Sequence, residues 1–183
     1  MKAINLNPEP PSAPFDLGVT APAAPAVSLG AATSGDTETV ALVATVVNVW
    51  GEESAPSNPV LFDRQAGQSA TYTVTHTATA GQQAINGINF YRTYPSLQGT
   101  TEYFLINSTP AALSGGTASI TDASDAPQTT TNLTSTEWDT PPALPNNLTY
   151  VGNGFFAIGS GKDIVFSEPY RPHAWPYRMT LPH

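Results

Sequence analysis

Gly152-Asn-Gly154-Phe-Phe-Ala157 has the glycine spacing of a dinucleotide-binding loop. That chemistry needs a helix to open directly after the glycines, so that its N-terminus faces the pyrophosphate. Phe155–Ile158 reads instead as a strand, and the match carries no site. Gly159-Ser-Gly161-Lys162-Asp163 has the look of a phosphate loop. Phe156 stands where its first glycine belongs, and Asp163 where a magnesium-binding Ser or Thr belongs. Ser160 lacks the frame of a nucleophile elbow. The histidines at 76, 173 and 183 show no metal-ligand spacing. His76 lies among threonines on an alternating stretch and reads as a rim or partly buried side chain. Asp122 and Asp125 flank a loop that could take calcium, although such pairs are more often solvated turns. Glu52 and Glu53 fall in a turn, where they serve solubility. Asn107, Asn132 and Asn147 open glycosylation sequons that matter only in a secreted chain. No nucleophile, base and orienting acid can be assembled from this set. The expectation is a protein that is not an enzyme and holds no cofactor and no metal.

The composition narrows the classes further. Charged residues make up only 11% of the 183, against 40% hydrophobic, so charge repulsion does not keep this chain unfolded. Thr and Val, branched at Cβ, favour pleated surfaces, and 18 prolines with 14 glycines fit short elements joined by turns. The formal net charge of −8 repels phosphate backbones, which argues against sequence-specific nucleic-acid binding. It leaves room for a passive conduit along which DNA slides without sticking. There is no cysteine, so disulfides and thiolate chemistry are excluded. The start, MKAINLNPEP, has no apolar core and does not read as a signal peptide. No apolar run of about 18 residues exists, so no membrane insertion is expected.

The elements that would position these groups are all strands. Pro8, Pro10, Pro11, Pro14, Pro22 and Pro25 predict an extended arm, either a loose tail or a strap on a neighbouring subunit. Thr39–Trp50 is apolar on both faces, as a central strand covered on both sides would be. Val60–Phe62 is a short return strand. Ala70–Ala78 alternates, with Tyr72, Val74 and His76 on one face. Gly87–Arg92 and Glu102–Asn107 read as a hairpin around Pro95 and Gly99, with Ile88 and Phe90 sharing a face. Ala118–Thr121 is a further strand. Residues 122–148 are loop-rich, around Trp138, Pro141, Pro142 and Pro145. Thr149–Val151, Gly154–Ile158 and Asp163–Ser167 form a second meander, with turns at Gly152–Asn153 and Ser160–Gly161.

The run Phe166–Pro176, FSEPYRPHAWP, stands apart. Pro169, Pro172 and Pro176 stiffen it, which lowers the entropy lost on docking. Tyr170 and Trp175, with Tyr177 just beyond, give large apolar faces with a polar edge. Arg171 and Arg178 give planar donors. These residue types dominate interface hot spots. Burying one Trp of about 200 Å² is worth roughly 5 kcal/mol before costs. Phe166, Pro169, Tyr170, Arg171, Pro172, His173, Trp175 and Pro176 are the candidate assembly or packing anchor. The run either plugs the chain's own sheet or contacts a neighbouring subunit.

Two resemblances add to this. Val43–Val60, VATVVNVWGEESAPSNPV, is similar to the last two strands of a fibronectin type III domain. Ile88–Ala111, followed by SITDAS, resembles the central hairpin of such a domain and the strand after it. The order is last part first, which implies a fibronectin- or immunoglobulin-like β-sandwich with unusual connectivity, or two partial units packed together. Leu148–Pro176 resembles a segment of large tailed-phage virion proteins. There a sandwich-like part with a GEES-type turn and a YRT hairpin precedes a Trp-Pro-Pro linker, a short strand pair and FSEPY-x-PHAWP. This chain has Gly51–Ser54, Tyr91–Thr93, Glu137–Pro142 and Phe166–Pro176 in matching order.

These resemblances imply an all-β chain: an extended Pro-rich arm over 1–30, a fibronectin-like sandwich over 31–135, and a linker with a β-meander and the anchor over 136–183. The meander would be the start of a propeller-like part. Only seven residues follow Pro176. The expectation is either a longer protein or a neighbour that completes the sheet. The implied function is a tail subunit of a short-tailed phage, of the nozzle or tail-tube type, in a homo-oligomeric ring with neighbouring virion proteins around the DNA channel. It would reside in the virion, assembled in the host cytoplasm. The alternative is an adhesion or carbohydrate-binding module with Tyr91, Tyr94 and Tyr103 as an exposed sugar platform.

Overall fold

A computed structural model of the chain describes residues 2–3, 15–78, 84–95, 102–142, 146–176 and 179–182. The expectations for Pro8, Pro10, Pro11, Pro14, Gly99, Pro145, Tyr177, Arg178 and His183 lie outside the described residues. Among the described residues all regular structure is strand. The strands are β1 (Lys2–Ala3), β2 (Phe15–Asp16), β3 (Ala26–Leu29), β4 (Thr37–Asn48), β5 (Val60–Gln65), β6 (Ala70–Thr75) and β7 (Ile85–Arg92). They continue with β8 (Phe104–Leu105), β9 (Thr117–Asp122), β10 (Asn146–Gly152), β11 (Phe155–Ser160), β12 (Asp163–Phe166) and β13 (Thr180–Pro182).

Two antiparallel sheets pack face to face. One has the order β3-β6-β9 and the other β5-β4-β7-β8. Their shared core joins Leu42, Ala44 and Val46 of β4 and Ile88 and Phe90 of β7 to Tyr72 and Val74 of β6 and Ala118 of β9. Tyr72 links the layers, its ring centroid 5.9 Å from that of Phe62 and 6.3 Å from that of Phe90. The alternation of β6 holds as expected: Tyr72, Val74 and His76 are buried while the threonines between them reach outward. β4 is buried on both faces through its second half, from Leu42 to Asn48. Its even residues enter the core. Val43, Thr45 and Val47 lie under the other face, beside Tyr91 of β7 and Glu53.

The four strands β10-β11-β12-β13 make a separate meander sheet. Every residue of β10 up to Val151 is exposed. Neither β13 nor β3 is predicted from the sequence. β3 sits in the stretch read as arm, whose prolines hid it, yet it pairs with β6 over Ala26–Leu29. The arm is therefore part of the body from residue 15 onward, with Val19, Pro22 and Pro25 buried. β8 is shorter than the expected Glu102–Asn107, because only Phe104 and Leu105 pair with β7. Beyond them, Asn107 takes over with its side chain, accepting from the Phe90 amide and donating to the Ile88 carbonyl.

Candidate functional site

β4 ends in a tight turn that begins the site. The Asn48 side-chain carbonyl accepts from the amides of Trp50 and Glu52, and its amide nitrogen donates to Glu52 at 2.6 Å. Gly51 takes the left-handed conformation that closes this turn, at φ +77°. Ser54 and Ser57 then run beside β4, their hydroxyls accepting from the amides of Val46 and Ala44. This turn is not the solvated pair of glutamates that the sequence predicts. Glu52 is buried. Glu53 accepts from Thr45, Tyr91 and Asn89. Polar donors on an otherwise apolar sheet face demand such an acceptor, and a sequence alone does not show that the donors converge.

Against this turn lie the arm, the linker and the anchor. Gly18 packs so closely that a Cβ there would sit 3.2 Å from Pro141 and 3.4 Å from the His173 carbonyl oxygen. Its amide donates to the Glu52 carboxylate. The Trp175 amide donates to the Asp139 carbonyl at 3.0 Å. The Trp138 ring stacks edge-on to His173 at 5.7 Å, and the Arg171 guanidinium lies 4.6 Å from its centroid. A cleft of about 240 Å³ remains between Val19, Glu53, Ser54, Trp138, Asp139 and His173. Ser54 is engaged within the backbone framework: its hydroxyl also donates to the Ala55 carbonyl.

His173 and Glu52 approach to 3.8 Å, the distance of an ion pair. Their protonation argues otherwise. Burial and then the Arg171 charge push His173 down to about 4. Burial raises the Glu52 carboxyl, despite the hydrogen bonds from Asn48 and Gly18. The contact is therefore one between a neutral imidazole and a desolvated carboxyl, not a charged pair at neutral pH.

The anchor residues divide between inside and outside. Trp175 and Pro176 are buried, and the Trp175 indole donates to the Pro172 carbonyl at 2.8 Å. Pro172 and His173 are half-buried. Phe166 belongs to β12, half-buried opposite Ala157. Pro169, Tyr170 and Arg171 face solvent, with Tyr170 80% exposed. Tyr170 holds φ +58° and donates its amide to the Gly154 carbonyl at the β10–β11 turn. The run thus ties the meander sheet, the linker and the sandwich turn to one another while presenting its own tip outward.

A second cluster is not predicted from the sequence. Arg64 of β5 and Arg92 of β7 are fully buried at one end of the sandwich. Arg92 donates to Asp122 at 2.8 Å and to the Ser124 carbonyl, and lies 3.9 Å over the Tyr94 ring. Arg64 pairs with Asp125 and stands 3.8 Å from Asp122. Asp122 and Asp125 are thus engaged by buried guanidinium groups, Asp122 from inside and Asp125 from a half-exposed position, rather than grouped as a calcium loop. Among the described residues no group of acids and histidines is placed to hold a metal. Of Tyr91, Tyr94 and Tyr103, expected as an exposed sugar platform, Tyr91 and Tyr94 are buried at 2% and 0% exposure and Tyr103 is half-buried. A hairpin with aromatics on both faces cannot reveal which face the second sheet and Glu53 cover.

The chain matches no protein-family model, no curated protein and no solved structure. Among the described residues no helix is long and apolar enough to cross a membrane.

Proposed function

We propose that this chain is a non-enzymatic structural subunit of a tailed-phage virion, of the nozzle or tail-tube type. It would work in a homo-oligomeric ring among neighbouring virion proteins, assembled in the host cytoplasm. The observation that carries the reading is the seam made by Phe166–Pro176. A stiff run with Trp175 buried at 3% exposure and Tyr170 exposed at 80% fits a part that fastens one body and meets another.

The finer fold follows the same reading. In an immunoglobulin-like sandwich the central strand and the last hairpin share one sheet, and the second and fifth strands pair in the other. Here β7, β4 and β5 are neighbours in that order, and β6 pairs with β9. The chain would be a fibronectin-like sandwich whose last hairpin, β4–β5, comes first. The four-stranded meander β10–β13 has the form of one propeller blade. The acidic balance suits a channel past which DNA moves without binding.

Electron microscopy of the purified chain, together with mass spectrometry of virions, tests the proposal. The expected result is a closed ring and the chain among the virion proteins. A chain that stays monomeric and is absent from purified particles would overturn it.

A further inference from the structure

The meander sheet leaves one face open. Gly159, Ile164 and Leu181 form a row across β11, β12 and β13, so they share that face. Ile164 is 43% exposed and Leu181 58%. Gly159 adds no side chain between them and β10. The next row, Ser160–Asp163, borders the tight turn where Gly161 holds φ +63° and Lys162 is exposed. The patch is apolar with a cation at its rim.

Charge is unevenly shared between the two parts of the molecule. Lys162 and Arg171, both in the C-terminal part, are exposed, whereas Arg64 and Arg92 of the sandwich are buried. Among the described residues of the sandwich the exposed charged ones are Asp36, Asp63, Glu102 and Asp125. One of them borders an exposed apolar residue. Leu61 of β5 is 71% exposed, and Asp63, two residues on, lies on the same outward face and accepts from Thr39 at 2.6 Å. This patch is apolar with an anion at its rim.

We propose that the Ile164–Leu181 face of one copy docks on the Leu61–Asp63 stretch of a second copy of this chain, with Lys162 opposite Asp63. The inference rests on the reading that the chain assembles with itself, and it names the two surfaces that meet. Apolar side chains meet in the centre, and opposite charges at the rim set register and orientation. Two different patches meeting give a head-to-tail contact unless one pair of copies makes both contacts about a two-fold axis. Such contacts close into rings when the rotation allows and otherwise grow as open filaments.

Sedimentation of the full chain at low and high salt tests this, with Lys162→Glu, Asp63→Lys and an equal mixture of the two. Both residues are exposed, so the substitutions leave the fold in place. Each variant alone should weaken self-association at least about tenfold, because like charges then face each other. The mixture should restore it, since every mutated patch finds its complement. Wild-type association should weaken with salt, as an exposed pair is screened. If both variants assemble like the wild type, these surfaces are the wrong ones, while self-assembly itself stands. If the wild type is monomeric throughout, the docking and the self-assembly reading fall together.

Discussion

His173 shows how burial sets chemistry at a single residue. Its imidazole stays neutral in the fold until about pH 4, whereas an unfolded chain protonates it near 6.5. Between these values the unfolded state holds the extra proton. Stability is therefore complete above about pH 6.5 and is lost as pH falls toward 4. The shift corresponds to roughly 3 kcal/mol at most. His76, also lowered by burial, acts in the same direction. Glu52 acts in the opposite one. Its raised carboxyl ionises later in the fold than in the unfolded chain, so stability declines as pH rises past its ordinary value of 4.5. Urea midpoints measured from pH 7 to 4 should fall in the wild type and fall less in His173→Gln. Equal falls in the wild type and in His173→Gln would show that His173 titrates normally.

At the scale of elements, the meander depends on one crossing point. Gly154 holds φ +81°, and a Cβ there would sit 2.8 Å from the Tyr170 ring and from its backbone nitrogen. Gly154→Ala should destabilise by about 2–3 kcal/mol, from left-handed strain and a displaced Tyr170. It should also open the Glu168–Pro172 stretch to protease; unchanged melting and cleavage would refute the lock between hairpin and anchor. The strands themselves were largely legible. β4, β6, β7 and β9 show in the sequence because alternation or a doubly apolar run marks burial directly. β3 and β13 were not legible: they are short, and the prolines near them weigh against any ladder. The anchor was legible as a run of stiff, aromatic residues, but its division into a buried Trp175 and an exposed Tyr170 depends on which neighbours reach it. Tyr94 shows the same limit: Arg92 stands two residues before it, but nothing local to the hairpin shows that Asp122 will hold that arginine buried against the ring.

For the whole molecule, the two sheets are joined at one end by charge as well as by apolar contact. Asp122 on β9 faces Arg92 on β7 and Arg64 on β5, so it links the three-stranded sheet to the four-stranded one. Removing a buried partner strands the remaining charges, which costs more than the pair itself contributes. Asp122→Asn should lower stability by roughly 3–5 kcal/mol in urea titrations. Asp125→Asn should lower it by less than about 1 kcal/mol, because that side chain is 48% exposed and screened by water. Equal effects of the two substitutions would mean that the end of the sandwich is wetter than its burial implies.

The pairing of β4 with β7 also has a consequence in time. Val43 meets Tyr91 and Val46 meets Ile88, so the most apolar strand finds its central neighbour only after more than forty further residues have been made. At a synthesis rate of roughly 5–20 residues per second, that leaves β4 half-covered for several seconds on the ribosome. Long-range pairings of this kind also fold slowly, on the scale of milliseconds to seconds. During that interval the β4–β5 hairpin is a sticky nascent strand, and the yield of soluble protein should depend on how quickly β7 follows it.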